Sequence, residues 1–197
     1  ATKLSIDRIM NAGQAGKGGP LIEVDDLASN QANELEDDTR IRNIRARTEE
    51  AKRLDDVIAA LPVGIPVGSD YYRTSAYGVR TDPFTKRPAQ HRGVDLASFR
   101  MAPIVATGEG TVKFAGTNGG YGRFVEIDHG YGFVSRYAHM AKIYVKRGQK
   151  IKKGDKIGGM GSTGRSTSTH LHYEIRFQGQ YQNPDNLLKA GRYVQQN

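Results

Sequence analysis

From Asp25 to Leu61 the chain contains neither glycine nor proline. Pro62-Val63-Gly64-Ile65-Pro66-Val67-Gly68 then brings in two of each. Proline lacks a backbone N–H and pushes the residue before it toward extended conformations, so a helix cannot run across this boundary. The two sides must fold differently. Residues 27–61 are expected to be a helical segment, capped by Ser29 or Asn30 and ended by Pro62. Its apolar residues fall at Leu35, Ile41, Ile44, Ala51, Leu54, Ile58 and Leu61. Positions 44, 51, 54, 58 and 61 fit a seven-residue repeat, and Asp37 and Arg47 interrupt the seam. A charged helix with one narrow apolar stripe is expected to pack on the following domain, on a second copy, or on the end of a longer coiled coil. Before it, residues 1–26 hold Gly13, Gly16, Gly18, Gly19 and Pro20 and read as a flexible Gly-rich leader, with a short strand at Leu21–Val24.

Beyond Pro62 the pattern is strands and turns, and residues 62–197 are expected to form one domain. Strands are expected at Thr74–Tyr77, Val94–Ala97, Pro103–Ala106, Gly110–Ala115, Phe124–Asp128, Gly132–Tyr137, Lys156–Gly159 and His170–Phe177. Thr117-Asn118-Gly119-Gly120, His129-Gly130 and Lys153-Gly154-Asp155 supply turns between them. Many short strands at close spacing imply a mainly β fold, an antiparallel sheet or sandwich. A short helix, Asn186–Ala190, follows Asn183-Pro184-Asp185.

Cysteine is absent, which excludes disulfides, Cys-ligated zinc and thiol nucleophiles. No apolar run approaches the roughly 20 residues a membrane span needs. Ala1 to Met10 is polar and does not read as a signal peptide. Because the first residue is not methionine, the chain reads as a mature or truncated product, with room for an upstream membrane anchor. Charge is unevenly spread. Residues 1–61 carry 9 Lys plus Arg against 12 Asp plus Glu, a net −3; residues 62–197 carry 20 against 9, a net +11. The basic half favours an anionic partner: nucleic acid, acidic lipid or a cell-wall polymer. No aromatic-basic motif supports nucleic acid, and none is expected as a partner.

Two of the five histidines, His170 and His172, lie in Ser-Thr-His-Leu-His-Tyr-Glu-Ile-Arg. Side chains alternate along a strand, so both imidazoles point to one face while Leu171 and Tyr173 point to the other. A single histidine is more often a surface or satisfied core residue than a ligand. Upstream, His91-Arg92-Gly93-Val94-Asp95 offers an imidazole and a carboxylate, both good zinc donors. His91, Asp95 and one of the strand histidines would make three protein ligands with an open fourth position, the pattern of a catalytic zinc. The other strand histidine, with His139 in Tyr137-Ala138-His139-Met140, would move a proton or stabilise an oxyanion. His129, in Asp128-His129-Gly130, reads as structural.

These motifs, in this order, resemble the M23 family of zinc metallopeptidases, the lysostaphin-like or LytM-type peptidoglycan endopeptidases. Tyr77-Gly78-Val79-Arg80-Thr81-Asp82-Pro83-Phe84 resembles the opening run of bacterial members, and His91 to Asp95 their His-x-Gly-x-Asp. Gly119-Gly120-Tyr121-Gly122, His129-Gly130-Tyr131-Gly132, Tyr137 to Met140, Gly158 to Gly164, Ser166 to Glu174 and Asn183-Pro184 follow in sequence. The resemblance spans about residues 63–188. It implies a mainly β, antiparallel sheet or sandwich catalytic domain related to biotinyl-lipoyl-like barrels, which the α-helical segment read at residues 27–61 precedes. It implies one Zn2+ held by His91, Asp95 and His172, with His139 and His170 as catalytic groups. It further implies hydrolysis of peptidoglycan peptides in the periplasm or cell envelope, with the style of the opening run favouring D-Ala–diaminopimelate bonds over glycine bridges. Departures fall at Ser98 to Pro103 and Ser166 to Thr169, on loops and not on ligands.

Two other classes compete. A non-catalytic regulator of wall hydrolases on the same fold would lack ligands that are all present here. A biotin- or lipoyl-type carrier resembles the rhythm of Val145 to Gly158, but glycines surround Met160 and no lysine adjoins it. Residues 27–61 are expected to be a stalk from an upstream anchor, a self-association element, or an acidic inhibitor of the basic domain.

Overall fold

The computed structural model describes residues 32–195. The leader, its expected strand at Leu21–Val24 and the first residues of the expected helical segment lie outside the described residues. The chain divides into two compact units, Ala1–Ile58 and Ala59–Asn197.

Helix α1 spans Ala32–Ala60. Within it Ile41, Ile44, Leu54 and Ile58 are exposed, so most of the apolar stripe faces solvent. Thr48 donates its hydroxyl back to the Ile44 carbonyl at 2.8 Å, a local bond that satisfies a β-branched polar residue inside a helix. No described helix is long and apolar enough to cross a membrane.

The second unit is built of antiparallel strands. They are β1 (Tyr72–Ser75), β2 (Gly78–Thr81), β3 (Pro88–His91), β4 (Val94–Ala97), β5 (Pro103–Val105), β6 (Gly110–Asn118) and β7 (Gly122–Gly130). The series continues with β8 (Phe133–Met140), β9 (Lys142–Ile143), β10 (Lys150–Ile151), β11 (Lys156–Gly159), β12 (Leu171–Phe177) and β13 (Gln180–Gln182). An eight-stranded sheet runs in the order β1-β4-β12-β8-β7-β6-β10, with β13 also on β12. A three-stranded sheet, β5-β11-β9, and the β2–β3 hairpin complete the unit. Helix α2 spans Pro184–Gln195.

Strand β12 shows why the sheet forms. Leu171, Tyr173, Ile175 and Phe177 alternate onto one face and are all buried. Each such side chain stabilises the fold by about 2 kcal/mol on leaving water. His172, Glu174 and Arg176 are left for the other face. Behind β12 the core includes Val94, Ile127, Phe133, Tyr137 and Met140, each fully buried. Burying two tyrosines leaves hydroxyls to satisfy. Thr107 does this, with its Oγ1 2.8 Å from both Tyr137 Oη and Tyr173 Oη and its N–H donating to Tyr137 Oη at 3.0 Å. The same network takes in His129. Its Nδ1–H donates to the Glu109 carbonyl, and its Nε2 lies 2.7 Å from Ser135 Oγ, itself 3.0 Å from Tyr137 Oη. No buried side-chain N or O among the described residues lacks a partner.

The boundaries differ from expectation in instructive places. The strand expected at Thr74–Tyr77 lies earlier, as β1 over Tyr72–Ser75, and Ala76 and Tyr77 link it to β2, which begins at Gly78. Gly78 has φ 124°, a conformation closed to side-chain-bearing residues, and it turns the chain between them. Its partner β3 carries no β-branched residue and so had no strand signature. The hairpin is set instead by Asp82, whose Oδ1 accepts the N–H of Phe84 at 2.9 Å and of Thr85 at 2.7 Å. Helix α2 is longer than Asn186–Ala190. Pro184 suits a first helical position, and the buried Leu187 and Leu188 anchor the helix, which runs through Gly191.

Candidate metal centre

Register brings the first two groups together. β12 pairs with β4 so that His172 stands directly opposite Asp95. The β2–β3 hairpin ends with His91 opposite Gly78, at the head of the Arg92-Gly93 link into β4. Gly93 makes that link possible: a Cβ there would sit 2.3 Å from the Tyr173 carbonyl oxygen. A side chain would push β4 away from β12 and separate the facing residues.

The resulting cluster is tight. His91 Nε2 lies 3.1 Å from Asp95 Oδ1, His172 Nδ1 lies 2.8 Å from the same oxygen, and the two ring nitrogens are 3.1 Å apart. Tetrahedral zinc with ligands at about 2.0–2.1 Å would set its donors about 3.3 Å apart, close to this triangle. The outer bonds decide which nitrogens face inward. His91 Nδ1–H donates to the Ala76 carbonyl at 2.7 Å, leaving Nε2 with its lone pair toward Asp95. His172 Nε2–H donates to Glu174 Oε1 at 3.1 Å, leaving Nδ1 inward. Two lone pairs and a carboxylate oxygen converge on one point, an arrangement that calls for a cation. The residues therefore fit a metal ion, and among the described residues this is the one group of three such donors.

The electrostatics agree. Burial alone would lower the pKa of His172, but Asp95 and Glu174 outweigh it and raise it to about 9. Burial alone would raise the pKa of Asp95, yet the His172 and His91 rings packed against it hold it well below the usual carboxylate range. The field that favours a proton on His172 favours a divalent cation in its place.

His170 and His139 complete the wall. His170 Nδ1–H donates to the Ser168 carbonyl at 2.9 Å, and its Nε2 lies 3.8 Å from Asp95 Oδ1. His139 Nδ1–H donates to the Thr163 carbonyl at 2.8 Å. Its backbone is left-handed, φ 61°, a strained state for histidine that recurs at functional sites. The His139 ring centroid lies 4.8 Å from that of His170 and 5.8 Å from that of His172. Burial lowers the pKa of His139 to about 4, against the pull of the Thr163 carbonyl, so the ring is neutral at pH 7. All five sequence-derived site residues thus meet in one place. His129 does not join them.

A cavity of about 620 Å³ opens over this cluster. Gly120 and Tyr121 line it on one loop and Arg165 to Ser168 on another, with Asp82 to Phe84 of the β2–β3 hairpin as a further wall. Sequence reasoning missed three supporting residues. Glu174 is 1% exposed and accepts from His172, from Tyr121 Oη at 2.9 Å and from Arg136 at 3.5 Å. Its signal was present, since His170, His172 and Glu174 continue one alternation. Tyr121 sits in the Gly-rich, Tyr-containing loop 117–123, which reads from the sequence as a groove wall; its bond to Glu174 had no sequence signal. Arg80 lies 3.4 Å from Asp95 Oδ2, the oxygen turned away from the histidines.

Comparison with known proteins follows the same residues. Residues 89–184 match the model of Peptidase family M23. The catalytic domain of the prophage-encoded M23 protein EnpA from Enterococcus faecalis is 35% identical with a TM-score of 0.55, the match covering 62% of this chain and 95% of that one. The chain belongs to peptidase family M23. A second structure, a zinc-containing peptidase from Vibrio cholerae, is 36% identical, the match covering 60% of this chain and 37% of that one, with a TM-score of 0.57. Among curated proteins, peptidoglycan DD-endopeptidase ShyA of Vibrio cholerae serotype O1 is 40% identical over 126 residues, 64% of this chain and 29% of ShyA. The chain spans less than a third of the length of the first curated relatives it matches. The antiparallel β architecture is that of these M23 and lysostaphin catalytic domains.

Proposed function

We propose that this chain is a zinc metalloendopeptidase that hydrolyses peptide cross-links or stem peptides of bacterial peptidoglycan, of the D-Ala–diaminopimelate type, outside the cytoplasmic membrane. The observation that carries the reading is the convergence of His91 Nε2, Asp95 Oδ1 and His172 Nδ1 within 3.1 Å, each ring nitrogen freed by an outer acceptor. The activity named for ShyA, a peptidoglycan DD-endopeptidase, and the zinc named for the Vibrio cholerae peptidase support it. The intact ligand set speaks against the regulator reading.

Zinc at this site would supply a Lewis acid for the scissile carbonyl and lower the pKa of a coordinated water to about 7. The protein's own groups do the rest. Asp95 is kept ionised, and Arg80 engages its second oxygen. His139 and His170 present their Nε2 atoms with Nδ1 already committed to carbonyls, so each ring in its neutral form can accept a proton from the attacking water. Once protonated, the same nitrogen can donate to the oxyanion. The cavity gives an extended peptide room beside them.

The test is digestion of purified peptidoglycan with the products identified by mass spectrometry, alongside the metal content of the protein. One zinc per chain and released peptides cut at the D-Ala–diaminopimelate bond are expected, both lost in His172→Ala and the activity lost on chelation. A zinc-free protein that releases nothing itself but accelerates another wall hydrolase would establish the regulator reading instead.

A further inference from the structure

The charged side chains lining the cavity are nearly all paired. Arg80 is engaged with Asp95 at 3.4 Å, and Arg165 with both carboxylate oxygens of Asp82 at 2.7 and 3.0 Å. Glu174 is shared by His172, Tyr121 and Arg136. Arg92 differs. It lines the same cavity, its side chain is exposed, and among the described residues no carboxylate pairs with it at contact distance, Glu174 acting on it only from further away. It is nevertheless held in place. Its guanidinium carbon lies 4.8 Å from the Tyr181 ring centroid, and its Nη1 donates to Tyr181 Oη at 3.4 Å. Tyr181 is itself fixed on β13, where its ring also carries Arg176 at 5.2 Å. The Tyr181 hydroxyl occupies one nitrogen of Arg92; Nε and Nη2 have no acceptor among the described residues.

Position adds a second constraint. Arg92 directly follows His91 and precedes Asp95 by three residues. Its backbone is therefore part of the segment that carries two of the three metal-facing groups. A cation stacked on an aromatic ring, with donors to spare, at a fixed place beside the reacting centre is a receptor for a planar anion. The guanidinium fork matches a carboxylate, and stacking removes much of the entropy cost of ordering the side chain.

We infer that Arg92 is a specificity-determining residue that binds a free carboxylate of the stem peptide next to the scissile amide. The inference rests on the proposed peptidoglycan activity and sharpens it. A neutral glycine bridge offers no such group, whereas cross-links between D-alanine and diaminopimelate do. The assigned interaction is a charge-assisted hydrogen bond in a partly exposed groove, for which about tenfold in kcat/KM is a fair magnitude.

The experiment uses two synthetic cross-linked peptides that are identical except that the carboxylates flanking the scissile amide are free in one and amidated in the other. For the wild-type chain the ratio of kcat/KM, free over amidated, is expected to be about ten, carried mostly by KM. In Arg92→Gln the ratio should fall to about one, and Arg92→Lys, which keeps the charge but not the fork, should lie between. Zinc content measured on each variant reports that the site has folded. A wild-type ratio of one, or a ratio that Arg92→Gln leaves unchanged, overturns the inference while the proposed activity stands. A wild-type chain that cleaves neither peptide overturns both.

Discussion

At the residue scale, the centre is organised by hydrogen bonds one layer out from the metal-facing atoms. Each of the four histidines gives one ring N–H to an acceptor: Ala76 and Thr163 carbonyls for His91 and His139, the Ser168 carbonyl for His170, and the Glu174 carboxylate for His172. Glu174 differs from the others in carrying charge. Burial works to raise its pKa, but the hydrogen bond and charge of His172 prevail and keep it ionised. An anionic acceptor makes the ring more basic and fixes its tautomer. Glu174→Gln keeps the shape and removes the charge. Zinc affinity, measured by competition with a chelator, is expected to fall by about 10- to 100-fold, and turnover to recover at saturating zinc. Unchanged affinity would mean that the carboxylate only fills space.

At the scale of elements, the groove depends on two segments remote in sequence. The β2–β3 hairpin and the loop before β12 are tied by Asp82 and Arg165, with the Arg165 guanidinium carbon also 4.5 Å from the Phe84 ring centroid. The hydrogen bond from the Thr85 N–H, joined by those from Phe84 and Arg165, overcomes the opposing effect of burial and lowers the pKa of Asp82 to about 2. The tie is therefore charged across the working pH range. Arg165 leads into Ser166, whose Oγ lies 3.3 Å from His170 Nδ1. Loosening the tie should reach the catalytic wall. In Asp82→Asn, amide hydrogen exchange at residues 82–87 and 162–169 is expected to quicken severalfold while β12 keeps its protection. Exchange that quickens in the hairpin alone would show that the two loops are held independently.

At the scale of the whole molecule, buried neutral histidines make the fold sensitive to acid. Burial lowers the pKa of His129 below its ordinary 6.5 despite the Glu109 carbonyl, and lowers that of His139 to about 4. Below pH 6.5 the unfolded chain binds protons on these rings that the folded chain refuses. Their contribution is thus fully present above pH 6.5 and is lost as pH falls toward 4, by at most about 1.4 kcal/mol per pH unit for each ring. The denaturation midpoint at saturating zinc should fall between pH 7 and 5, and His129→Gln should flatten that fall. A profile as steep as that of the wild-type chain would place the acid sensitivity elsewhere.

Much of this was legible in the linear chain. The change at Pro62 and the alternation in β6, β7 and β12 are local properties, fixed by backbone sterics and side-chain period, while His91, Asp95, His139, His170 and His172 were picked out by the resemblance of their ordered motifs to a known family. The β2–β3 hairpin was hidden because β3 lacks the usual strand residues and an Asp82 side chain does the turning. Glu174 and Arg80 were hidden because an outer partner is defined by what it touches. Tertiary structure alone decided that Asp95 faces His172, which nitrogens point inward, and that Arg92 is the cavity cation without a carboxylate among the described residues. Those facts depend on strand register and on contacts between residues as many as 89 apart, and no local preference of the chain encodes either.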